Sequence, residues 1–243
     1  MIESLNNEKI KKIAKLKERK YQDIEGKFLV EGAHLVEEAH KAGLLDSVLV
    51  LNGEVVSYDD VTVVSDSVMK KISSLTNVPK IVGVSRKPMP KGVGEYILML
   101  DRVQDPGNLG TIIRSAVSFG VDTIVLGEGS VSAYNPKVVR ASEGMLFHIN
   151  IIEADLKEFI RELKENGYKI FTTRLKDANE LSKCEINDKM AVIVGNEGSG
   201  VSDELSSLAD DAFYIDMNAL CESLNVGVAT SIVLYELKKK RDI

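Results

Sequence analysis

Polar groups suited to chemistry open an apolar stretch near the end of the chain. Glu222, Ser223 and Asn225 precede a run of small and apolar residues that predicts a helix buried on nearly all sides. Such groups need partners, because burying one without a hydrogen bond costs about 1–3 kcal/mol. Helix capping would satisfy one of the three. The segment is therefore either a capped core helix or one wall of a functional site.

A glycine-rich loop, Gly195-Asn-Glu-Gly-Ser-Gly200, forms a second candidate site. Glycines let the backbone approach a bound group closely, although a glycine-rich turn alone is a weak signal. Glu197 inside the loop, and Asp203 and Glu204 after it, would repel a phosphate at the following helix N-terminus. No Walker-type lysine follows, and the chain contains no GxGxxG motif, which disfavours a dinucleotide-binding fold. The loop is better suited to a neutral or cationic ligand.

A third segment combines a loop rich in Pro, Gly and Asn with a helix that starts near Asn108. Apolar residues recur along this helix at a helical spacing, and Arg114 lies outside their stripe. A single arginine in such a position is most often a solvated helix residue. The unusual loop composition nevertheless favours a ligand nearby.

All three segments follow predicted strands. Strands are predicted at residues 96–100, 123–126, 149–152, 168–172, 191–194 and 212–215. Continuous Val, Ile and Leu runs that alternate with helical patterns are typical of a parallel sheet covered on both faces. Ligands of such sheets bind beyond the carboxyl ends of the strands. The three segments are therefore expected to meet at one edge of the sheet.

The N-terminal part of the chain forms a separate small α/β domain by the same criteria. Residues 86–95 contain two prolines and two glycines, which indicates a linker. We therefore predict a first domain at residues 1–90, which is small but able to fold, and a second at residues 95–243. In the first domain, helices are predicted at residues 8–20, 33–42 and 67–74, and strands at 27–31, 47–51 and 81–85.

Charge is distributed unevenly along the 243 residues. The net charge is −6, yet residues 9–20 contain seven basic residues and one acidic residue, so the rest of the chain carries −12. Ile10 and Ile13 lie at helical spacing, which predicts a basic amphipathic helix over residues 8–20. This helix is either a solvated surface element or a contact for nucleic-acid phosphates, which Lys and Arg neutralise.

The overall composition, 44% hydrophobic and 28% charged, is that of a soluble globular protein. No apolar run approaches the roughly 18 residues of a membrane span, and the first twenty residues lack a signal-peptide pattern. Cys184, Cys221 and the three histidines show no metal-ligand spacing. These features predict a cytoplasmic protein without a metal site.

Taken together, the three segments resemble the SpoU (TrmH-type) branch of the SPOUT RNA methyltransferases. The matching motifs are Asn108-x-Gly110-x-x-x-Arg114, Gly195-x-Glu197-Gly198-x-Gly200 and Glu222-Ser-Leu-Asn-Val226 with Leu234-Tyr-Glu236. They occur in the family's order and cover about residues 95–240. Upstream, Lys27-Phe-Leu-Val-Glu-Gly32 and Leu35-Val-Glu-Glu-Ala39 resemble, less specifically, the family's N-terminal RNA-binding domain.

This resemblance implies an enzyme that transfers a methyl group from S-adenosylmethionine (AdoMet) to a ribose 2′-hydroxyl of structured RNA, expected to be 23S ribosomal RNA. The implied fold is α/β, with a small α/β RNA-binding domain followed by a parallel-sheet SPOUT domain. The C-terminal part of that domain would form a trefoil knot, a rare exception to the rule that protein chains are unknotted. Members of the family act as homodimers that share the active site across the interface.

The resemblance also implies roles for single residues. The family's proposed base is Arg114, but a guanidinium is effectively never neutral in proteins. It could instead bind the phosphate beside the target ribose or stabilise the developing alkoxide. The expected catalytic residues are Arg114, Asn108, Glu197, Ser223 and Asn225. The expected cofactor-binding residues are Gly195, Ile215, Leu224, Asn225, Thr173 and Met217. RNA contacts are expected from Lys11, Lys12, Lys15, Arg19, Lys137 and Arg140.

Three positions depart from the family's pattern. Asp216 replaces the usual proline, Ala219 the usual glycine, and Glu143 a residue that is often small. A positive φ at Ala219 would add strain of about 1–3 kcal/mol. These departures leave open a non-catalytic RNA-binding protein that retains the fold. A transfer-RNA 2′-O-methyltransferase and a base N-methyltransferase are further alternatives, and the sequence leaves the RNA and the nucleotide open.

Overall fold

The computed structural model describes residues 1–174, 177–218 and 220–241. The chain divides into two compact units. The first unit contains Met1–Met89 and Ser132–His148, and the second contains Pro90–Val131 and Ile149–Ile243. Each unit is therefore assembled from two separate stretches of chain.

The first unit is built on a four-stranded mixed sheet. Its elements up to residue 89 are α1 (Glu8–Lys15), α2 (Arg19–Glu25), β1 (Lys27–Glu31), α3 (Ala33–Lys41), β2 (Leu45–Leu51), β3 (Val61–Val64), α4 (Asp66–Ile72) and β4 (Ile81–Arg86). The strand order is β1-β4-β2-β3, with β4 antiparallel to β1 and β2 and with β3 parallel to β2. Ile10 of α1 and Met69 and Ile72 of α4 are fully buried in a core with the strands.

The predicted single helix at residues 8–20 is wrong, because α1 ends at Lys15 and a second helix begins at Arg19. Leu16 follows α1 as its buried C-cap. The carbonyl oxygen of Leu16 accepts a 2.8 Å hydrogen bond from Nε2 of Gln22, whose side chain is itself buried. This bond satisfies a carbonyl that the end of a helix leaves unpaired, so it stabilises the break.

The second unit is built on a seven-stranded sheet whose observed strand pairs are all parallel. From residue 90 onward the elements are β5 (Tyr96–Leu100), α5 (Pro106–Ser118), β6 (Thr123–Leu126), α6 (Pro136–Ala141), β7 (Asn150–Glu153), α7 (Leu156–Glu165), β8 (Lys169–Thr173), β9 (Asn179–Glu180), β10 (Met190–Val194), α8 (Asp203–Leu208), β11 (Asp211–Tyr214) and α9 (Val226–Arg241). All but α6 lie in the second unit. The strand order is β7-β6-β5-β10-β8-β11-β9. The predicted α/β class with a parallel sheet is confirmed.

Helix α6 and its flanking residues pack within the first unit through aromatic and polar contacts. The ring of Phe28 lies 4.9 Å from that of Tyr134 and 6.0 Å from that of Phe147. Nε2 of Gln22 donates a 3.0 Å hydrogen bond to the carbonyl of Tyr134. His148 Nε2 lies 3.0 Å from a carboxylate oxygen of Glu38. These contacts explain why Ser132–His148, which the sequence analysis placed in the second domain, clusters with the first unit.

The long C-terminal helix α9 is buried on one side only. It begins at Val226, so the three polar residues that precede it lie outside the helix. Val233 and Leu234 are buried, whereas Val228 and Tyr235 are 47% and 50% exposed. The prediction of burial on nearly all sides is therefore wrong. Across the described ranges, no helix combines the length and the apolar character needed to cross a bilayer.

Candidate active site

Three hydrogen-bonded side chains connect separate loops at the carboxyl edge of the parallel sheet. Nδ2 of Asn225 donates to Oδ1 of Asn108 over 2.9 Å, and Nδ2 of Asn108 donates to Oε1 of Glu197 over 3.0 Å. Asn108 lies in the first turn of α5, Glu197 in the loop after β10, and Asn225 immediately before α9. Residues 117 and 89 positions apart are thus joined in one chain of hydrogen bonds.

Glu197 also holds the loop that leads into α5. Its carboxylate accepts hydrogen bonds from the backbone amides of Asp105 over 3.1 Å and of Gln104 over 3.5 Å. Burial raises the pKa of the Glu197 carboxyl, but the hydrogen bonds from Asn108 and the backbone outweigh burial and leave the pKa below its ordinary value. Glu197 is therefore a carboxylate at neutral pH.

Asn225 caps helix α9 with its side-chain oxygen and binds Asn108 with its side-chain nitrogen. Its Oδ1 accepts hydrogen bonds from the backbone amides of Gly227 over 2.9 Å and of Val228 over 3.3 Å, which caps α9. Its Nδ2 remains free for the bond to Asn108. The capping interpretation of the segment before α9 is therefore confirmed for Asn225, whereas its role in a functional site stays a prediction.

Helices α5 and α9 approach each other closely through small residues. The hydroxyl oxygens of Ser115 and Ser231 lie 2.7 Å apart. A Cβ atom added at Gly227 would lie 3.3 Å from Thr111, so a larger residue there would press on α5. Small residues four positions apart on both helices allow this close approach, which sets the distance between Asn108 and Asn225.

Asn196, a residue that the sequence analysis did not select, connects the same loops. Its Nδ2 donates a 2.9 Å hydrogen bond to the carbonyl of Arg102 after β5. Its Oδ1 accepts hydrogen bonds from the amides of Gly198 over 2.9 Å and of Ser199 over 3.2 Å. Asn196 therefore fixes the shape of the glycine-rich loop and attaches it to the loop that leads into α5. Its position between Gly195 and Glu197 was the only sequence signal.

The glycines of this loop allow its two ends to approach each other closely. The backbone groups of Asn196 and Gly200 exchange two hydrogen bonds of 3.0 and 2.9 Å. A Cβ atom at Gly195 would lie 2.0 Å from the carbonyl carbon of Gly200, so only glycine fits there. Gly200 has φ +68°, a left-handed conformation that glycine adopts without strain.

Asp101, at the start of the loop after β5, binds the end of the loop after β10. Its Oδ2 accepts a 2.8 Å hydrogen bond from the amide of Ser202, and its Oδ1 pairs with Nε of Arg102 over 2.9 Å. Burial raises the pKa of Asp101, but the bonds to Arg102 and Ser202 prevail and the pKa lies below its ordinary value. The buried carboxylate of Asp101 therefore holds the residues around Arg102 and Ser202 in place.

Arg114 contrasts with these fully paired residues. It lies six residues beyond Asn108 on α5, which corresponds to about 9 Å along the helix axis. Its side chain is exposed, as the position outside the apolar stripe predicted. Within residues 1–174, 177–218 and 220–241, no hydrogen bond or ion pair engages its guanidinium. The guanidinium is therefore available to an anionic substrate.

A cavity of about 600 Å³ opens at the ends of β8, β10 and β11 and the start of α9. This volume lies within the usual range for small-molecule sites. Glu197 and Ser223 of the expected catalytic set line it, whereas Asn108, Arg114 and Asn225 are not among its lining residues. The expected cofactor-binding residues that line it are Gly195, Ile215, Leu224, Thr173 and Met217.

The cavity lining is apolar and acidic. Among the described lining residues, the charged ones are Asp177, Glu197, Asp203, Glu222 and a single basic residue, Arg174. Apolar side chains, including those of Ile215, Leu224 and Val226, supply much of the remaining surface. This excess of carboxylates favours a ligand with a cationic centre.

The expected RNA contacts of α1 and α2 differ in their surroundings within the first unit. Lys12 and Lys15 are exposed. Nζ of Lys15 lies 5.0 Å above the ring of Tyr21. Lys11 pairs with a glutamate over 2.9 Å and Arg19 with an aspartate over 3.6 Å. Such exposed ion pairs contribute little to stability, so RNA phosphates can compete for all four cations.

The two expected RNA contacts of α6 have different environments. Lys137 is exposed. Arg140 donates from Nη1 to the hydroxyl of Ser74 over 2.9 Å and lies 3.8 Å from Glu31, which is only 6% exposed. Removing one partner of a buried ion pair is costly. The structure thus gives Arg140 a stabilising contact, and its contact with RNA stays a prediction.

The three departures from the family's pattern fall in different places. Asp216 is exposed in the segment after β11. Ala219 lies outside the described residues, so the expected strain there stays a prediction. Glu143 adopts φ +49° in the first unit, a left-handed conformation that is strained for a residue with a side chain.

A parallel α/β unit with a cavity at its carboxyl edge is typical of a ligand-binding domain, and the acidic lining suits a ligand with a cationic centre. Residues 95–235 match the SpoU rRNA methylase family, and residues 7–83 match an MRM3-like substrate binding domain. The chain therefore belongs to the SpoU rRNA methylase family, and the resemblance inferred from its motifs is confirmed.

Individual relatives agree over the full chain. The chain is 36% identical over 244 residues to the 23S rRNA (guanosine(2553)-2′-O)-methyltransferase RlmP of Bacillus subtilis. The matched residues cover 98% of this chain and 98% of RlmP. A solved RNA 2′-O-ribose methyltransferase superposes with a TM-score of 0.85 at 29% identity, covering 100% of this chain and 99% of that one. The AdoMet-bound rRNA methyltransferase of Sinorhizobium meliloti gives 0.86 at 28% identity, covering 98% and 97%.

Proposed function

We propose that the protein uses AdoMet to methylate the 2′-oxygen of a guanosine ribose in 23S ribosomal RNA. The hydrogen-bonded chain of Asn225, Asn108 and Glu197 carries this proposal, because it brings three separate motifs to the rim of an acidic cavity. RlmP of Bacillus subtilis acts, by its name, on guanosine 2553. The corresponding guanosine is therefore the first candidate target.

The residues of the cavity fit AdoMet. Carboxylates such as Glu197 and Glu222 would attract its sulfonium, and Ile215 and Leu224 offer apolar surface to its adenosine part. Bound AdoMet supplies an already activated methyl group. The chain's own residues therefore need chiefly to align the ribose oxygen, and alignment can lower a barrier by roughly 7–11 kcal/mol.

We assign each residue of the expected catalytic set a role that fits its surroundings. Asn225 and Glu197 hold Asn108 from both sides, so the first turn of α5 is fixed. The same helix carries Arg114, whose free guanidinium would bind the phosphate beside the target ribose or stabilise the developing alkoxide. Ser223, at the cavity wall, would orient the ribose hydroxyl.

RNA would be held mainly by the first unit. Lys12 and Lys15 present exposed ammonium groups on one helix, and Lys11, Arg19 and Lys137 add further charge. Such groups hold the RNA backbone without reading its sequence. Aromatic residues form only 5% of the chain, so recognition by shape is favoured over extended base stacking.

The proposal extends to assembly and location. The half-exposed Val228 and Tyr235 on α9 give an apolar surface that supports a homodimer built through the second unit. A trefoil knot in the C-terminal part and a cytoplasmic location complete the proposal. Light scattering of the purified protein, with Tyr235→Lys as the variant, would test the dimer, because a charge at a buried interface would favour the monomer.

Complementation tests the proposed substrate. The gene would be expressed in a Bacillus subtilis strain that lacks RlmP, and 2′-O-methyl groups would be mapped in 23S rRNA and in transfer RNA. We expect methylation of guanosine 2553 to return, whereas an empty vector leaves it absent. A new methyl group on transfer RNA alone, or no methyl group in cells that contain the folded protein, would contradict the proposal.

A further inference from the structure

The acidic cavity has an electrostatic mismatch with one end of its proposed ligand. AdoMet carries a sulfonium, an ammonium and a carboxylate. The acidic side chains of the cavity suit both cationic groups, but they repel the carboxylate. An anion buried among anions without a partner is unfavourable. If AdoMet binds here, a basic side chain in the lining is the favourable partner for its carboxylate.

Arg174 is the only basic residue among the described residues that line the cavity. It directly follows β8, whose last residue, Thr173, also lines the cavity. Strand β8 lies between β10 and β11, so Arg174 follows the central strand of the three that surround the cavity. The position of Arg174 at the end of that strand is therefore set by the sheet.

The guanidinium of Arg174 is held in place by its own loop. Nε and Nη2 donate hydrogen bonds of 3.2 and 2.6 Å to the carbonyl of Asp177, which has the left-handed φ of +49°. These bonds leave Nη1 without a hydrogen bond among the described residues. A guanidinium held in this way loses less conformational entropy when it binds a carboxylate than a free side chain would.

We propose that Arg174 binds the carboxylate of the amino-acid end of AdoMet and thereby selects the complete cofactor over analogues that lack this group. The inference rests on the proposed use of AdoMet. It orients the cofactor in the cavity, because the amino-acid end would lie at Arg174, beside the carboxyl end of β8. Arg174 is thus a cofactor-binding residue that the family motifs of this chain do not contain.

Isothermal titration calorimetry with two ligands tests the inference without any methyl transfer. AdoMet and decarboxylated AdoMet share the sulfonium and the ammonium and differ in the carboxylate. We expect the wild-type protein to bind AdoMet about tenfold more tightly than the decarboxylated form, the effect of one charge-assisted hydrogen bond. In Arg174→Ala this preference should vanish, mainly because AdoMet binds more weakly. Arg174→Lys should retain part of it.

Arg161→Ala provides the matched control, since Arg161 is an exposed arginine on α7 that does not line the cavity. This variant should keep the wild-type preference, and thermal melting would show that all variants are folded. A folded Arg174→Ala protein that retains the full preference for AdoMet would overturn the inference alone. A folded wild-type protein that binds neither ligand would instead overturn the proposed function.

Discussion

The carboxyl edge of the parallel sheet and helix α1 differ in the sign of their charge and in how many hydrogen bonds hold their side chains. At the sheet edge, Asn108, Glu197 and Asn225 hold one another, and the cavity beside them is rich in carboxylates. On α1, Lys12 and Lys15 extend into solvent. A precise, acidic site suits a small cation, and an exposed basic surface suits a polyanion. The net charge of −6 does not reveal that the acidic site and the basic surface lie on different parts of the chain.

Arg114 lies on the same helix as Asn108, at the sheet edge, but its guanidinium is unpaired among the described residues and is exposed, as are the ammonium groups of Lys12 and Lys15. We expect Arg114→Ala to lower kcat by about 10²–10³, the usual cost of removing a group that stabilises developing negative charge. AdoMet affinity should stay unchanged, since Arg114 does not line the cavity. Single-turnover methylation of a 23S rRNA fragment, combined with calorimetry of AdoMet binding, would measure both quantities.

Arg114→Lys refines this test, because lysine retains the charge but not the bidentate geometry. Loss of activity in both variants would favour bidentate contact with a phosphate. Full activity in Arg114→Ala would contradict any role in the transfer.

Asn196 tests whether order at the sheet edge matters for catalysis. In Asn196→Asp the side chain loses the donor that binds the carbonyl of Arg102 and places a carboxylate beside Glu197. We expect kcat to fall by about tenfold, in line with the cost of one unsatisfied buried polar group. Asn218→Asp is the control, because Oδ1 of Asn218 accepts a 2.9 Å hydrogen bond from the amide of Leu220, and an aspartate oxygen can accept the same bond. Equal kcat values for the two variants would show that the attachment of the loop is unimportant.

The lysines of α1 should affect RNA binding and leave the cofactor site untouched. We expect Lys12→Ala and Lys15→Ala each to weaken binding to the 23S rRNA fragment several-fold. Each should reduce the slope of log K against log salt by about 1, because one phosphate contact is lost. Lys80→Ala is the control, as Lys80 pairs with Glu54 over 2.9 Å. Unchanged salt slopes would place the RNA elsewhere.

The smallest expected effect is the pH dependence of stability at Glu197. The pKa of Glu197 is lower in the folded state than its ordinary value of 4.5, so its ionised form stabilises the fold above about pH 4.5. That contribution is lost as the pH falls through the lowered pKa. Urea unfolding from about pH 6 to pH 3.5 should therefore show a steeper loss of stability for the wild-type protein than for Glu197→Gln. If the free energy of unfolding changed equally with pH in the two proteins, the lowered pKa of Glu197 would be contradicted.

The sequence predicted the second unit well because its strands are continuous apolar runs. The strands at 96–100 and 123–126 begin and end where predicted, and the other four predicted strands are displaced by at most one residue at either end. The edge strand β9 was missed because it has two polar residues. Strand β3 of the first unit was also missed, and three of its four residues are only partly buried.

The sequence could not reveal contacts that depend on tertiary structure. The break after α1 has neither glycine nor proline, and depends instead on the side chain of Gln22. The role of Asn196 arises from a backbone carbonyl 94 positions away. The motifs predicted which segments meet, whereas the hydrogen bonds between them, and the position of Arg174 in the cavity, required the fold.

Transfer of a deuterated methyl group tests the central claim most directly. The purified protein would be incubated with AdoMet that carries a CD₃ group and with an unmodified 23S rRNA transcript, and the nucleosides analysed by mass spectrometry. The account predicts one CD₃ group on the ribose of a single guanosine, transferred about 10²–10³ times more slowly by Arg114→Ala. A CD₃ group on a nucleobase, or an unlabelled transcript in the presence of protein that binds AdoMet, would contradict it.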